Sequence, residues 1–504
     1  MGFYHSTRSA SPTFTSKEAI RRGIAPDGGL FVSDDLGGTT IDISTLADKD
    51  YPTLAREVMG ALLPDYSADE IAACVDEAYT GTFASSEVTP LVPLSQAPNA
   101  DGTPTYVMEL FGGPTSAFKD VALQMLPRLM ARTAGAEGER IMIVTATSGD
   151  TGKAALAGFA DAPGCGITVF YPEGKVSHVQ NLQMSTQEGA NVAVCAVRGN
   201  FDDAQTAVKQ IFANKELGER LAAGGTILSS ANSINVGRLV PQVVYYFAAY
   251  AQLLRAGAIQ VGDAVEFCVP TGNFGDILAG YYAKRMGLPV AKLLVASDKN
   301  NVLADFLATG TYDRERPFYT TTSPSMDILV SSNLERMLYY LAEGDCELVA
   351  DLMSKLTDEG NYQIPAELLE RIRTVFDGGW ADEDQVAAAI RRCWDENGYV
   401  IDPHTACGYH VMEQTAAVEG TACRVLLSTA SPYKFPKAVA EALGLFCPPD
   451  DFACMEVLAK HTGTTAPAQL AGLKTKPVRF EDVVDVADMG SYVEQAASRI
   501  AKEA

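Results

Sequence analysis

Beginning at Arg140, short uninterrupted apolar runs alternate with helical stripes. Ile141-Met142-Ile143-Val144 reads as a buried strand, Thr151 to Ala160 as a helix, and Ile167-Thr168-Val169-Phe170 as the next strand. Ser177 is placed to cap a helix running to Gln187, Val192 to Val197 is a further strand, and another helix starts near Phe201. The alternation resumes with a strand Ala264 to Val269, a helix Asp276 to Met286 and a strand Lys292 to Ala296. It returns once more at Arg424 to Leu427, with a helix after Pro436. Strands that are apolar on both faces need helices on both sides, so the expected fold is α/β with parallel sheets. Residues 1–95 lack this alternation and carry turn signals such as Pro26-Asp27-Gly28-Gly29, which marks them as an N-terminal domain. Residues 96–225 are then expected to form a smaller α/β domain and 226–504 a larger one, with an acidic helical insertion near 333–397.

Charge narrows the partners. With 39 lysines and arginines against 63 aspartates and glutamates, the formal net charge of −24 repels nucleic acid and anionic membranes. A small phosphorylated ligand is not excluded, because a few backbone amides and one cation in a cleft hold a phosphate inside an acidic protein. The ten cysteines include no C-x-x-C pair and the five histidines no H-E-x-x-H, so we expect reduced thiols, a cytoplasmic location and no metal. Met1-Gly2 with Ser6 matches a myristoylation pattern, but no polybasic segment follows to make an anchor. The apolar stretch from Leu239 to Leu254 is interrupted by Pro241, Gln242 and Gln252 and does not read as a membrane span.

Three loops are rich in small polar residues. All three follow strands, at whose carboxyl ends ligands bind in open α/β sheets. Thr145-Ala146-Thr147-Ser148-Gly149-Asp150-Thr151-Gly152 lets backbone amides approach an anion at the next helix. It is not a P-loop: Thr147 stands where that pattern needs glycine, and Ala154 where it needs serine or threonine. Pro270-Thr271-Gly272-Asn273-Phe274-Gly275-Asp276 has two glycines and no cation, which suits either a phosphate held by amide dipoles or a tight turn. Gly113-Pro114-Thr115-Ser116-Ala117-Phe118-Lys119-Asp120 leads into a helix with Lys119 in its first turn, off the apolar face. The helix dipole there lowers a lysine's proton affinity, as attack on a carbonyl requires. On position alone a solvated surface lysine is the commoner case.

Taken together, these segments resemble threonine synthase, a fold-type II pyridoxal-phosphate family similar to the tryptophan synthase β chain. The resemblance is carried by Phe118-Lys119-Asp120 after Gly-Pro-Thr, by the 147–152 and 270–276 loops, and by Thr429-Ala430 ahead of Lys434-Phe435. Tyr4-His5-Ser6-Thr7-Arg8, Asn232-Ser233-Ile234-Asn235 with Arg238 and Gln242, Ser323-Pro324-Ser325-Met326-Asp327 and Ile401-Asp402-Pro403-His404-Thr405 extend it over nearly the whole chain. Many members carry histidine where this chain has Gly112 and Ser431, so no role of those histidines is carried over.

The resemblance implies a lyase that converts O-phospho-L-homoserine and water to L-threonine and phosphate by γ-elimination and β-addition. It implies that Lys119 binds pyridoxal 5'-phosphate covalently and serves as the base. Gly272, Asn273, Phe274 and Asp276 would cradle the cofactor phosphate, Thr429 would meet the pyridine nitrogen, and Asp150 the ring oxygen. Ser148, Gly149 and Thr151 would take the substrate carboxylate. Thr115, Asn235, Arg238 and Lys434 are candidates for the substrate phosphate. The alternatives are a serine/threonine dehydratase-like lyase of the same fold and a non-catalytic pyridoxal-phosphate-binding protein. A monomer or homodimer is expected.

Overall fold

The computed structural model describes residues 3–33, 35–98, 101–133, 139–147 and 149–503. Two parallel sheets carry the architecture. In the first, five strands lie in the order Val483–Asp485, Val192–Arg198, Cys165–Pro172, Arg140–Ala146 and Thr226–Ser229, all parallel. In the second, six strands lie in the order Phe376–Trp380, Val290–Ser297, Ala264–Pro270, Thr421–Ser428, Thr105–Glu109 and Leu91–Pro93. Only the edge pair Leu91–Pro93 with Thr105–Glu109 is antiparallel. The expected α/β class is what the chain adopts. Central strands such as Cys165–Pro172 are buried at every position, which explains their unbroken apolar runs.

Sheet membership does not follow sequence blocks. Thr105–Glu109 precedes the five-stranded sheet in sequence yet pairs with Thr421–Ser428. Val483–Asp485, near the end of the chain, returns to the edge of the five-stranded sheet beside Val192–Arg198. The segment expected as a helical insertion near 333–397 holds helices Leu334–Leu341, Cys346–Asp358, Ala366–Val375 and Glu383–Asn397. It also supplies Phe376–Trp380, an edge strand of the six-stranded sheet, and Asn361–Gln363, which pairs with Thr311–Asp313. It is therefore woven into the sheet and is not purely helical.

The N-terminal residues form a three-stranded antiparallel sheet, Ser9–Phe14, Tyr4–Ser6 and Phe31–Ser33, followed by helices that include Tyr51–Leu62 and Ala68–Tyr79. Arg8 grips Glu335 with Nε and a terminal nitrogen at 2.8 and 2.9 Å, tying this sheet to helix Leu334–Leu341. The interrupted apolar stretch is helix Val236–Arg255, buried along nearly its whole length against helices Lys119–Ala131, Gly275–Arg285 and Tyr51–Leu62. Among the described residues no helix is long and apolar enough to cross a membrane. The expectation that all ten cysteines are reduced is corrected at one pair. Cys447, in the loop before helix Asp451–Thr462, and Cys454, in that helix, form a disulfide with their Cα atoms 5.3 Å apart.

Candidate active site

The loops picked out in the sequence leave the carboxyl ends of parallel strands in both sheets and meet. Thr105–Glu109 and Thr421–Ser428 are adjacent, and their outgoing chains stay joined: the Leu110 amide donates to the Ser428 carbonyl at 3.0 Å, and the Phe118 amide to the Thr429 carbonyl at 2.8 Å. That second bond sets Lys119 at the start of helix Lys119–Ala131. The loop behind it is braced by the Asp120 carboxylate, which accepts the Thr115 amide at 2.8 Å and the Thr115 hydroxyl at 2.7 Å. Gly113 is needed there, because a Cβ would stand 2.5 Å from that of Asp120.

Lys119 is not on a solvated face. It is 8% exposed, and its Nζ donates to the Ser325 hydroxyl at 3.1 Å, with an Asp150 carboxylate oxygen 4.0 Å away. Burial is the chief cause that lowers its pKa to about 8; Asp150 pulls the value back up, and Lys434 and Arg238 push it down. The lowering expected from the helix dipole is present, but its leading cause is burial. Asp150 begins helix Asp150–Phe159 and receives Lys434 Nζ at 2.7 Å, Gln180 Nε2 at 3.3 Å and the Ser325 hydroxyl at 3.3 Å. Burial alone would raise its pKa, but the Lys434 and Lys119 charges outweigh it and hold the carboxyl well below the usual range. Gly149, at φ +142°, precedes it; a Cβ there would strike Gln180 at 2.5 Å. Thr151 is half-buried in the same helix turn. Ser148 lies outside the described residues.

The 270–276 loop has the features of an anion cradle. The Gly272 carbonyl accepts the Ser331 hydroxyl at 2.7 Å, and the Asn273 carbonyl accepts the Asn333 amide and side chain at 3.0 Å each. Phe274 takes the left-handed conformation, φ +64°, immediately before helix Gly275–Arg285. With the carbonyls turned away and engaged, the amides of Gly272, Asn273, Phe274 and Gly275 have no acceptor among the described residues. A Cβ on Gly272 would stand 2.8 Å from the Ser325 carbonyl. Ser325 thus touches Lys119, Asp150 and this loop together. Asp276 is buried; burial raises its pKa to about 6 against the Ile277 amide and the Lys119 and Arg238 charges.

The four substrate-phosphate candidates separate. Thr115 gives its hydroxyl proton to Asp120 and its carbonyl to Lys434 Nζ at 3.1 Å. Asn235 caps helix Val236–Arg255, with Oδ1 on the Gly237 amide and Nδ2 on the Ile20 and Ser230 carbonyls. Lys434 is fully buried against Asp150. Arg238 differs: one terminal nitrogen donates to the Ala231 carbonyl at 3.2 Å, but its buried Nε has no partner among the described residues. Burial lowers its pKa to about 10 despite Asp276. Thr429 is buried beside the Lys119 loop, its main chain engaged as described. Ser325, His404 and Asp402 lie in segments that carry the family resemblance but had no task expected of them, and Gln180 lies outside every motif. The sequence signal at His404 was Asp402-Pro403, an N-cap and first-turn pair that marks the start of helix Pro403–Gln414.

The family model for pyridoxal-phosphate dependent enzymes matches residues 84–428, and models of the threonine synthase N terminus and C-terminal region match residues 3–79 and 405–493. The threonine synthase of Schizosaccharomyces pombe is 39% identical over 478 residues, covering 88% of this chain and 90% of that protein. The chain belongs to the threonine synthase family. The human threonine synthase-like 1 protein is 39% identical over 438 residues; the match takes in 84% of this chain and 58% of that longer protein. A crystal structure of pyridoxal-phosphate-bound threonine synthase from Brucella melitensis superposes with a TM-score of 0.86 at 37% identity, covering 99% of this chain and 100% of that one. The chain is a pyridoxal-phosphate-dependent lyase of this family, and its own residues fit the cofactor. A buried amine with lowered proton affinity faces a loop whose free amides suit a phosphate, and a Cβ on Gly272 would crowd that loop.

Proposed function

We propose that the chain forms L-threonine and phosphate from O-phospho-L-homoserine and water in the cytoplasm, with Lys119 as the catalytic amine. The observation that carries this reading is the meeting of Lys119, Asp150 and the 270–276 loop on Ser325. Bound pyridoxal phosphate supplies an electron sink that makes protons beside the substrate amine removable and lets the phosphate leave. Gly272, Asn273 and Phe274 would hold its phosphate by their amides, with the Asp276 helix start behind them. Asp150, kept ionised by Lys434, and the Thr429 hydroxyl would fix its ring. Lys119 Nζ, poised near neutrality, gives and takes the protons.

Gly149 and Thr151, with Ser148 named on sequence grounds, would receive the substrate carboxylate at the start of helix Asp150–Phe159. Arg238, whose Nε lacks a partner among the described residues, is the candidate for the departing phosphate. Thr115, Asn235 and Lys434 have their donors committed elsewhere and serve to hold the loops. The test is the stoichiometry of turnover with O-phospho-L-homoserine while serine and threonine compete. One threonine per phosphate supports the reading. Accumulation of a 2-oxo acid from serine or threonine, with no threonine formed, would show a dehydratase instead.

A further inference from the structure

One buried chain of side chains near Lys119 has no task in this reading. Asp402, fully buried, accepts His404 Nδ1–H at 2.6 Å, and it also receives the amides of His404 at 3.0 Å and Thr405 at 3.1 Å. A carboxylate at Nδ1 holds the ring proton there, which leaves the Nε2 lone pair as an acceptor. That lone pair takes the Ser325 amide at 3.1 Å. Ser325 in turn accepts from Lys119 Nζ at 3.1 Å and donates to Asp150 at 3.3 Å. The Phe435 ring, its centroid 5.0 Å from that of the imidazole, closes the other side of His404.

A helix cap does not require this arrangement. Asp402 already caps helix Pro403–Gln414 through two amides, and capping gives no reason for an imidazole to reach across to another segment. Without the Ser325 hydroxyl, the nearest oppositely charged group to Lys119 Nζ is Asp150 at 4.0 Å, close enough for a small side-chain rotation to make a direct ion pair. A direct pair would favour the charged, non-nucleophilic amine. We propose that His404 is a positioning residue: with its tautomer fixed by Asp402, it holds the Ser325 hydroxyl against Lys119 Nζ and keeps that amine from closing onto Asp150. This rests on Lys119 being the reactive amine.

The charged groups around that amine are Asp150, Asp276, Lys434 and Arg238, none of them on the helix that carries His404. The experiment follows the rate of Lys119 acetylation against pH in the full-length chain freed of cofactor, read by peptide mass spectrometry, alongside the pH profile of kcat/KM for the holoenzyme. His404→Leu removes the acceptor and should move the acetylation midpoint upward by about one unit, making Lys119 about tenfold less reactive at pH 7. His404→Gln, whose carbonyl oxygen can still accept the Ser325 amide, should recover most of the wild-type midpoint. Ser325→Ala keeps the backbone contact but loses the hydroxyl, and should reproduce the His404→Leu shift even if that variant folds poorly. An unmoved midpoint in Ser325→Ala, or a His404→Gln profile as displaced as that of a folded His404→Leu, would overturn the proposal. Acetylation needs no substrate, so a failure of the phosphohomoserine reading would show in turnover and leave this readout intact.

Discussion

At the scale of single residues, the site depends on burying charge without pairing it completely. Lys119 is held at about 8 chiefly by burial, so the neutral amine becomes the main form as pH rises through that value. The segment that presents Ser325 is anchored by a second buried acid cluster. The Thr321 hydroxyl bridges Asp298 and Asp327 at 3.0 and 2.7 Å, and Ser323 adds a bond to Asp298 at 3.1 Å. Burial, then the Asp298 charge, raises the Asp327 pKa above the ordinary carboxylate range. A carboxyl whose folded value exceeds its unfolded one stabilises the fold fully below the unfolded value of about 4, and that contribution is lost as pH rises through the raised value. Asp327→Asn should therefore weaken the fall in Tm between acidic and neutral pH. A variant whose Tm falls over that range as steeply as the wild type's would show that the Asp327 carboxyl does not titrate as described.

At the scale of elements, Lys119 and Asp150 meet because their helices lie almost in contact. A Cβ on Gly158 would stand 1.9 Å from the Leu123 carbonyl, so helices Lys119–Ala131 and Asp150–Phe159 can approach this closely only through glycine. Gly158→Ala must push them apart; overpacking of this kind costs about 1–3 kcal/mol and should lower both Tm and turnover. Unchanged turnover at a lowered Tm would mean that the spacing of these helices does not set the site. The alternating elements from Arg140 onward were legible because their strands are apolar on both faces and because the helix His178–Ser185 begins at an ordinary cap, Ser177. Phe376–Trp380 was hidden because Asp377-Gly378-Gly379 has little strand propensity, yet Gly378 lies where a Cβ would stand 2.6 Å from the Val295 carbonyl. The glycine loops and Lys119 could be read as a site because their residue types are unusual together. Ser325 and His404 could not, because their meaning lies in contacts across 79 residues of chain.

At the scale of the whole molecule, the chain closes on itself. After the six-stranded sheet is complete, Gln469 donates to the Gly113 carbonyl at 3.1 Å and the Ser116 hydroxyl at 3.0 Å, and the following segment runs on to strand Val483–Asp485. Met489, Val493 and Ile500 of the last helix then cover Met142, Val144 and Phe170 on the five-stranded sheet. Each large apolar side chain buried this way stabilises by about 1.5–3 kcal/mol, so a chain ending at Lys476 should lose cooperative unfolding, as a melting curve would show. A truncated chain melting as cooperatively and as high as the full one would mean that this closure is dispensable. Two buried amines stand beside Asp150, so Lys434 is the competitor to Lys119 for the cofactor. The direct measurement is borohydride reduction of the cofactor-loaded protein followed by peptide mapping of the trapped pyridoxyl group. The label is expected on Lys119 and should vanish in Lys119→Ala; a label on Lys434 or any other lysine would contradict Lys119 as the cofactor-bearing amine.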